Sequence, residues 1–249
     1  MGGDPGPLAR LNGPGWVPLG GRRPRPTRVA EGKRSPSAKT PPLRAPSQAA
    51  QAALVDRILK GQSKVGIDVS SFTPNPAVAD TDSGRARLAN GARFKAQYEG
   101  YLKELAATPV GFKLLSDLDK SKHKTTIVFD LKANGNHTSN PNGMDAVDKK
   151  KGDAPTILMN PTLTHFDDNK GRRDQPWMSE REKYGFYHEL VHAWHITRGT
   201  QATGSHKGVS MSEWQATGYG PHADRDLNEN AIRKAFGKAE RPTYNDVTY

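Results

Sequence analysis

Three residues in the C-terminal third of the chain, His188, Glu189 and His192, have the spacing H-E-x-x-H. On an α-helix, two histidines four residues apart lie one turn apart on the same side, so both imidazoles can bind one ion at about 2.0–2.1 Å. Glu189 then reaches a water molecule at the ion and takes its proton as the oxygen attacks a carbonyl. The spacing therefore predicts a zinc-dependent hydrolase site with Glu189 as general base.

The alternative is an amphipathic helix that exposes histidines to solvent without binding a metal. The flanking residues favour the metal site, because Glu180 and Glu182 stand near the predicted start of a helix and Gly199 stands at its predicted C-terminal cap. One stripe of this helix is predicted to pack in the core, and the histidines occupy another. The packing stripe consists of Tyr184, Tyr187, Val191 and Trp194.

A catalytic zinc ion normally has three protein ligands, so the motif requires one more. His195 is seven residues from His188, about 10.5 Å along a helix, which is too far for one ion; we predict that His195 lies near the site. Glu213, 21 residues after His192, is the preferred third ligand, because it opens a second predicted helix. However, Ser210-x-x-Glu213 also fits a capping box. Other carboxylates remain as alternatives, namely Asp224, Asp226 and Glu229.

The elements that must position these residues indicate an α+β domain with a small sheet and an active-site helix. Helical periodicity and end signals predict helices over 84–107, 112–118, 179–198, 210–217 and 226–236. β-Branched and aromatic residues predict strands over 125–131 and 156–160. We expect a polar surface loop over 132–155, an irregular connection over 61–83 and a short helix over 49–60.

Residues 1–60 carry most of the excess positive charge. The 249-residue chain has a net charge of +11, and residues 1–60, with eleven basic and three acidic residues, contribute +8 of it. The first 48 residues also contain ten of the 19 prolines. Such a composition cannot bury enough apolar surface to offset its ordering entropy, so it predicts a disordered, basic, Pro/Gly/Ser-rich segment over 1–60. The remaining residues lack a basic stripe interleaved with aromatics, so we do not expect nucleic acid as a partner.

Several functional classes are disfavoured by what the sequence lacks. There is no cysteine, so any metal must be bound by His, Asp or Glu. No stretch approaches the ~18 consecutive apolar residues of a membrane helix, and the N-terminus lacks the apolar core of a secretory signal peptide. We therefore expect neither a membrane span nor export by that route.

Two families resemble parts of this chain. The stretches HELVHAWH (188–195) and VSMSE (209–213), followed by Gly218, resemble the active-site segments of clostridial neurotoxin light chains, which are zinc endopeptidases. From about residue 84 to the end, the chain resembles the small type III secreted effector metalloproteases of the NleD and XopG kind. That second resemblance rests on the Thr108-Pro109-x-Gly111 turn before Leu114-Leu115, the strand pair, the HELVHA helix and the segment NENAIR (228–233). It implies a zincin-like metalloprotease domain over 84–249.

Carried over residue by residue, the neurotoxin pattern implies that His188, His192 and Glu213 bind Zn²⁺ and that Glu189 is the base. The neurotoxin family also has an R-x-x-Y element that acts on the transition state, preceded by a glutamate. Residues with that spacing here are Arg241, Tyr244 and Glu229. Because this chain is much shorter than a neurotoxin light chain, the resemblance does not imply a SNARE-type substrate.

The effector resemblance implies an endopeptidase that enters the host cytoplasm through a type III system and cleaves a host signalling or immunity protein, for example a kinase. NleD-type relatives cut mitogen-activated protein kinases in their activation loops. Residues 1–60 would then be the secretion and translocation segment, with a secretion chaperone as a further partner. We expect an extended substrate to add to the edge of strand 156–160. The alternatives are a nucleic-acid-binding protein that uses its basic segment and a catalytically inactive scaffold effector.

Overall fold

The computed structural model describes residues 43–133, 135–141, 151–162, 175–222, 227–244 and 247–248. These residues belong to a compact unit that spans Pro42–Tyr249. The described part contains six α-helices and a four-stranded mixed sheet. The helices are α1 (Gln48–Leu59), α2 (Asp82–Ala106), α3 (Pro109–Asp119), α4 (Arg181–Thr197), α5 (Met211–Thr217) and α6 (Glu229–Ala235).

The main sheet has the strand order β1-β2-β4-β3. Strands β1 (Val65–Asp68), β2 (Thr125–Phe129) and β4 (Thr156–Met159) run parallel, and β3 (His137–Ser139) pairs antiparallel with β4. Two short hairpins complete the described strands, β5 (Ser205–His206) with β6 (Val209–Ser210), and β7 (Thr243–Tyr244) with β8 (Val247–Thr248). Among the described strands, β1 and β3 are thus the two edges of the main sheet.

One face of the main sheet packs on the helices. Alternate residues of β2 are buried, and the strand register aligns Ile127 with Ile157 of β4, so these side chains share the core face. Tyr98 of α2 links the layers, because its ring centroid lies 4.9 Å from that of Phe129 on β2 and 4.9 Å from that of Phe186 on α4. Helix α4, which carries the H-E-x-x-H motif, is therefore fixed against both α2 and the sheet.

The folded unit extends further towards the N-terminus than the predicted boundary at residue 84. Helix α1 confirms the short helix predicted over 49–60, although it lies inside the segment predicted as disordered, and strand β1 lies inside the predicted irregular connection. Both contribute to the core through Leu54, Ile58 and Val65. Helix α1 is also joined to α3 by the Arg57–Asp119 ion pair, 2.6 Å between Nη2 and Oδ2. Both elements are short and gain their stability from these distant contacts, so local patterns did not show that they belong to the folded unit. The disorder predicted for residues 1–42 lies outside the described residues.

Strand β4 is not a sheet edge, so the prediction of a substrate adding beside residues 156–160 is wrong in its location. The edge is occupied by β3, which lies within the segment predicted as a surface loop. Asn160 folds this segment back: its Nδ2 donates to the carbonyls of Leu131 and Ala133, and its backbone N donates to Asn136 Oδ1. These contacts link residues 24 or more positions apart, so local sequence patterns do not reveal them.

The remaining predicted elements are confirmed with small changes at their ends. Helix α3, for example, begins at Pro109 instead of 112, because Thr108 Oγ1 accepts a hydrogen bond from Gly111 N at 3.0 Å and caps the helix. Among the described residues, no helix has both the length and the apolar character needed to span a membrane.

Candidate metal centre

Three side chains converge where α4 meets α5. His188 Nε2 lies 3.0 Å from His192 Nε2 and 3.0 Å from Glu213 Oε2, and His192 Nε2 lies 3.3 Å from Glu213 Oε1. These residues form a group of potential metal ligands within one small volume. Ligand atoms about 2.0–2.1 Å from a tetrahedral zinc ion are about 3.3 Å apart, so the observed spacing fits such an ion with little adjustment. The set of two imidazoles and one carboxylate also suits zinc chemically.

Glu213 reaches the cluster because the chain reverses just before α5. The β5–β6 hairpin turns through Lys207 and Gly208, both with positive φ, and Trp214 Nε1 donates to the carbonyl of His206 at 3.2 Å. Ser210 Oγ caps α5 by accepting from Ser212 N at 3.3 Å. The Glu213 carboxylate contacts the histidines instead, which favours its prediction as a ligand over the capping box.

The charge on the Glu213 carboxylate follows from its neighbours. Burial by itself would raise the pKa of Glu213, but His192 and His188 offset this effect and hold the pKa well below its usual value. Burial would likewise lower the pKa of His188, but its hydrogen bonds to Glu213 and Glu229 raise the pKa to about 10. The ionised Glu213 carboxylate therefore favours a positive charge beside the two imidazoles, and a bound metal cation would provide that charge.

Glu229 contacts His188 on the side of the imidazole that faces away from the cluster of potential ligands. Its Oε2 accepts from His188 Nδ1 at 2.9 Å, so His188 presents its other nitrogen, Nε2, to the cluster. Glu229 is 1% exposed and is paired with two arginines, Arg233 Nε at 2.6 Å and Arg241 Nη1 at 3.3 Å. Burial raises the pKa of Glu229, but Arg233, Arg241 and His188 more than offset the effect, and the net shift is strongly downward. Glu229 thus contacts His188, a potential ligand, and is not itself part of the cluster.

Glu189 lies beside the cluster without belonging to it. It is buried, and its Oε2 accepts a hydrogen bond from Thr138 Oγ1 at 2.7 Å; the same hydroxyl lies 3.0 Å from the main-chain carbonyl of Glu189. Sequence reasoning missed Thr138 because β3 was predicted as loop. His137, Thr138 and Ser139 are all polar, so no apolar–polar alternation in the sequence indicated this strand.

The other predicted site residues have different outcomes. Arg241 lies beside the cluster of potential ligands, where it pairs with Glu229. Its backbone N donates to Asn230 Oδ1 at 2.8 Å, and its guanidinium lies 5.5 Å from the centre of the Trp177 ring. For Tyr244 the structure describes the backbone, which belongs to β7, so the predicted position of its hydroxyl lies outside the described atoms.

His195 is absent from the cluster of potential ligands, and its Nδ1 lies 3.1 Å from Thr200 Oγ1. Two alternative ligands, Asp224 and Asp226, lie outside the described residues.

Comparison with known proteins supports the effector interpretation. A model of the peptidase M91 family, described as effector proteins, matches residues 82–244, which is more than half of the chain and includes all the site residues discussed above. Searches of curated proteins and of solved structures gave no significant match. The predicted resemblance to effector metallopeptidases is thus confirmed at the level of the family, and the resemblance to clostridial light chains stays a prediction. On the strength of this match, the chain belongs to the peptidase M91 family of effector proteins.

Proposed function

We propose that this protein is a zinc-dependent endopeptidase that acts on a protein of a host cell. The observation that carries the proposal is the placement of four side chains around one small volume. His188, His192 and Glu213 converge as ligands, while the neighbouring Glu189 is held apart from them by Thr138. Family membership implies peptidase activity, and this geometry supports a metal-dependent mechanism with Glu189 as general base.

The chain's own residues would handle the protons of the reaction. When bound, zinc supplies Lewis acidity, which lowers the pKa of a water molecule in the site. Glu189 accepts a proton from that water as its oxygen attacks the peptide carbonyl, and then delivers the proton to the departing amine. Because Thr138 occupies Oε2 of Glu189, the other carboxylate oxygen is the one available for this transfer.

Arg241 and Tyr244 are proposed to stabilise the oxyanion that develops on the peptide carbonyl. Both side chains donate hydrogen bonds, and neither competes strongly for zinc. For Arg241, support comes from its pairing with Glu229 Oε2, the same oxygen that accepts from ligand His188. For Tyr244, the proposal rests on the R-x-x-Y resemblance.

We propose that the substrate binds as an extended strand beside β3. This strand is an edge of the sheet, its outward side chains His137 and Ser139 are exposed, and its inward residue Thr138 contacts the proposed base. An added strand would therefore bring its peptide groups close to Glu189. The proposed substrate is a host signalling or immunity protein, for example a kinase. Effector membership supports delivery into the host, with residues 1–42, which precede α1, as the translocation segment and a secretion chaperone as a partner.

The test compares new protein N-termini in host cells that express the wild type, Glu189→Gln or the control Glu99→Gln. Glu189→Gln keeps the shape of the base but removes its ability to accept a proton, and Glu99 lies on α2, where it pairs with Lys95. We expect one set of new N-termini in the wild type and the control that is missing in Glu189→Gln. Identical N-termini in all three would refute the proposal. Stoichiometric zinc without any cleavage would favour the inactive scaffold, and salt-dependent nucleic-acid binding that is lost when residues 1–42 are deleted would favour the nucleic-acid-binding protein.

A further inference from the structure

Arg233, a residue of α6 behind the metal centre, has no part in the function proposed so far. We infer that Arg233 is a positioning residue that sets the zinc affinity of the site by fixing the Glu229 carboxylate. The inference rests on the zinc site of the proposed function. Arg233 does not touch the ligands and would act through Glu229, which contacts His188.

Arg233 is held on three sides in the interior. Its exposure is 2%, its Nε donates to Glu229 Oε1 at 2.6 Å, and its Nη1 donates to the main-chain carbonyl of Trp177 at 2.7 Å. Its guanidinium carbon lies 4.3 Å from the centre of the Tyr184 ring on α4. A guanidinium can donate in two directions at once and stack on an aromatic face, and this environment uses both properties.

The two oxygens of Glu229 have different partners, and this division defines the role of Arg233. Oε1 accepts from Arg233, while Oε2 accepts from His188 Nδ1. With Oε1 held, the carboxylate cannot rotate away, so Nδ1 of His188 keeps its hydrogen bond and Nε2 stays directed at the cluster. Without Arg233, Glu229 would retain Arg241, whose Nη1 approaches the very oxygen that His188 uses. Arg241 would then compete with His188 for that oxygen.

The second bond of Arg233 extends its influence to the other side of the site. Trp177 lies in the 3₁₀ turn Pro176–Met178 that precedes α4, and its ring faces the guanidinium of Arg241 at 5.5 Å. By binding the Trp177 carbonyl, Arg233 fixes this turn relative to Glu229. A lysine could neutralise Glu229 but, with a single nitrogen, would not reproduce the fork that reaches both acceptors.

The experiment measures the zinc dissociation constant by competition with a chromogenic chelator for wild type, Arg233→Met, Arg233→Lys and the control Lys234→Met. Lys234 is the next residue of α6 and is exposed, so its variant removes a positive charge without touching the site. Circular dichroism melting of each metal-free protein separates folding from metal affinity. We expect Arg233→Met to weaken zinc binding about 10-fold, the lower end of the loss that follows removal of a partner bonded directly to a ligand, because Arg233 acts through Glu229. Arg233→Lys should be intermediate, and Lys234→Met should match the wild type.

The outcomes separate this inference from the proposed function. If the wild type fails to bind zinc, the zinc endopeptidase proposal is wrong. If the wild type binds zinc and folded Arg233→Met binds it equally well, Arg233 is only a structural ion pair and the inference is overturned. If Arg233→Met fails to fold because the buried charge of Glu229 is no longer sufficiently neutralised, the zinc affinity of Arg233→Lys provides the test. Zinc binding weakened about threefold or more in that variant supports the inference, and an unchanged constant overturns it.

Discussion

The hydroxyl of Thr138 lies 2.7 Å from Oε2 of Glu189, which ties the edge strand β3 to the carboxylate that we propose as the general base. The two residues are 51 positions apart, and the bond crosses from the sheet to helix α4. A substrate strand that adds to β3 would thus be aligned by the same element that orients the base.

We predict that Thr138→Val lowers kcat by about 10–100-fold, because a hydrogen bond to a charged group contributes about 1.5–3 kcal/mol. KM and zinc content should stay near the wild-type values, since the Thr138 side chain bonds Glu189 and not the cluster of potential ligands, and valine leaves the backbone of β3 available to an added strand. Thr138→Ser retains the hydroxyl and should recover most of the rate. Steady-state kinetics on a peptide spanning a mapped cleavage site provides the measurement. Equal kcat in the Val and Ser variants would exclude the positioning role.

Glu213→Ala removes one of the three proposed protein ligands. It should therefore weaken zinc binding by more than the roughly 10–100-fold that is typical when a residue hydrogen-bonded to a ligand is lost. The comparison is His195→Ala, which removes a nearby buried imidazole outside the cluster and should leave zinc affinity largely intact. Metal analysis after dialysis, together with chelator competition, tests both. Zinc loss in His195→Ala with retention in Glu213→Ala would reverse the assignment.

Tyr244→Phe should lower kcat with little change in KM or zinc content, because a donor used only in the transition state affects the chemical step. Donors of this kind contribute about 2.7–4 kcal/mol in comparable sites, or roughly 100–1000-fold in rate. Arg241→Gln should lower kcat as well. Since Arg241 also pairs with Glu229, that variant is compared with wild type for zinc affinity before its kinetics are interpreted. Wild-type kcat in Tyr244→Phe would contradict the assigned role of its hydroxyl.

Two truncations test the start of the folded unit. Deleting residues 1–42 should leave the melting temperature and zinc binding unchanged, because Ser47, which caps α1 by accepting from Ala50 N at 3.2 Å, is retained. Deleting 1–60 removes α1 with Leu54 and Ile58 from the core, and each such side chain typically stabilises by about 2–5 kcal/mol. That variant should melt far lower or fail to fold. Equal melting temperatures for the two truncations would place the boundary beyond α1.

The truncation of residues 1–42 also tests the delivery of the protein into host cells. We expect the chain without residues 1–42 to remain inside a bacterium with a type III system, although the folded unit is unchanged. Translocation into host cells, measured with a reporter fused at the C-terminus, checks this expectation, and unimpaired translocation would show that the signal lies elsewhere.

By itself, the sequence determined those features that depend on neighbours along the chain. The one-turn separation of His188 and His192 follows from helical geometry, and the strands β2 and β4 follow from short runs of β-branched and apolar residues. The ligand role of Glu213 was favoured by its place at the opening of a second helix. These signals are local, so they are present before any long-range contact forms.

Only the tertiary structure decided which distant residues meet. Whether Glu213 caps its helix or faces the histidines depends on how the β5–β6 hairpin directs α5 towards α4. Strand β3 has three residues, and Asn160 holds the segment that precedes it. The local sequence pattern therefore gives little indication of the edge position of β3 or of the contact between Thr138 and Glu189. Arg233 is an ordinary helical arginine in sequence. Its pair with Glu229, four residues earlier on the same helix, is a local contact, but its burial and its bond to a carbonyl 56 residues away result from packing, which residue types and spacing do not encode locally.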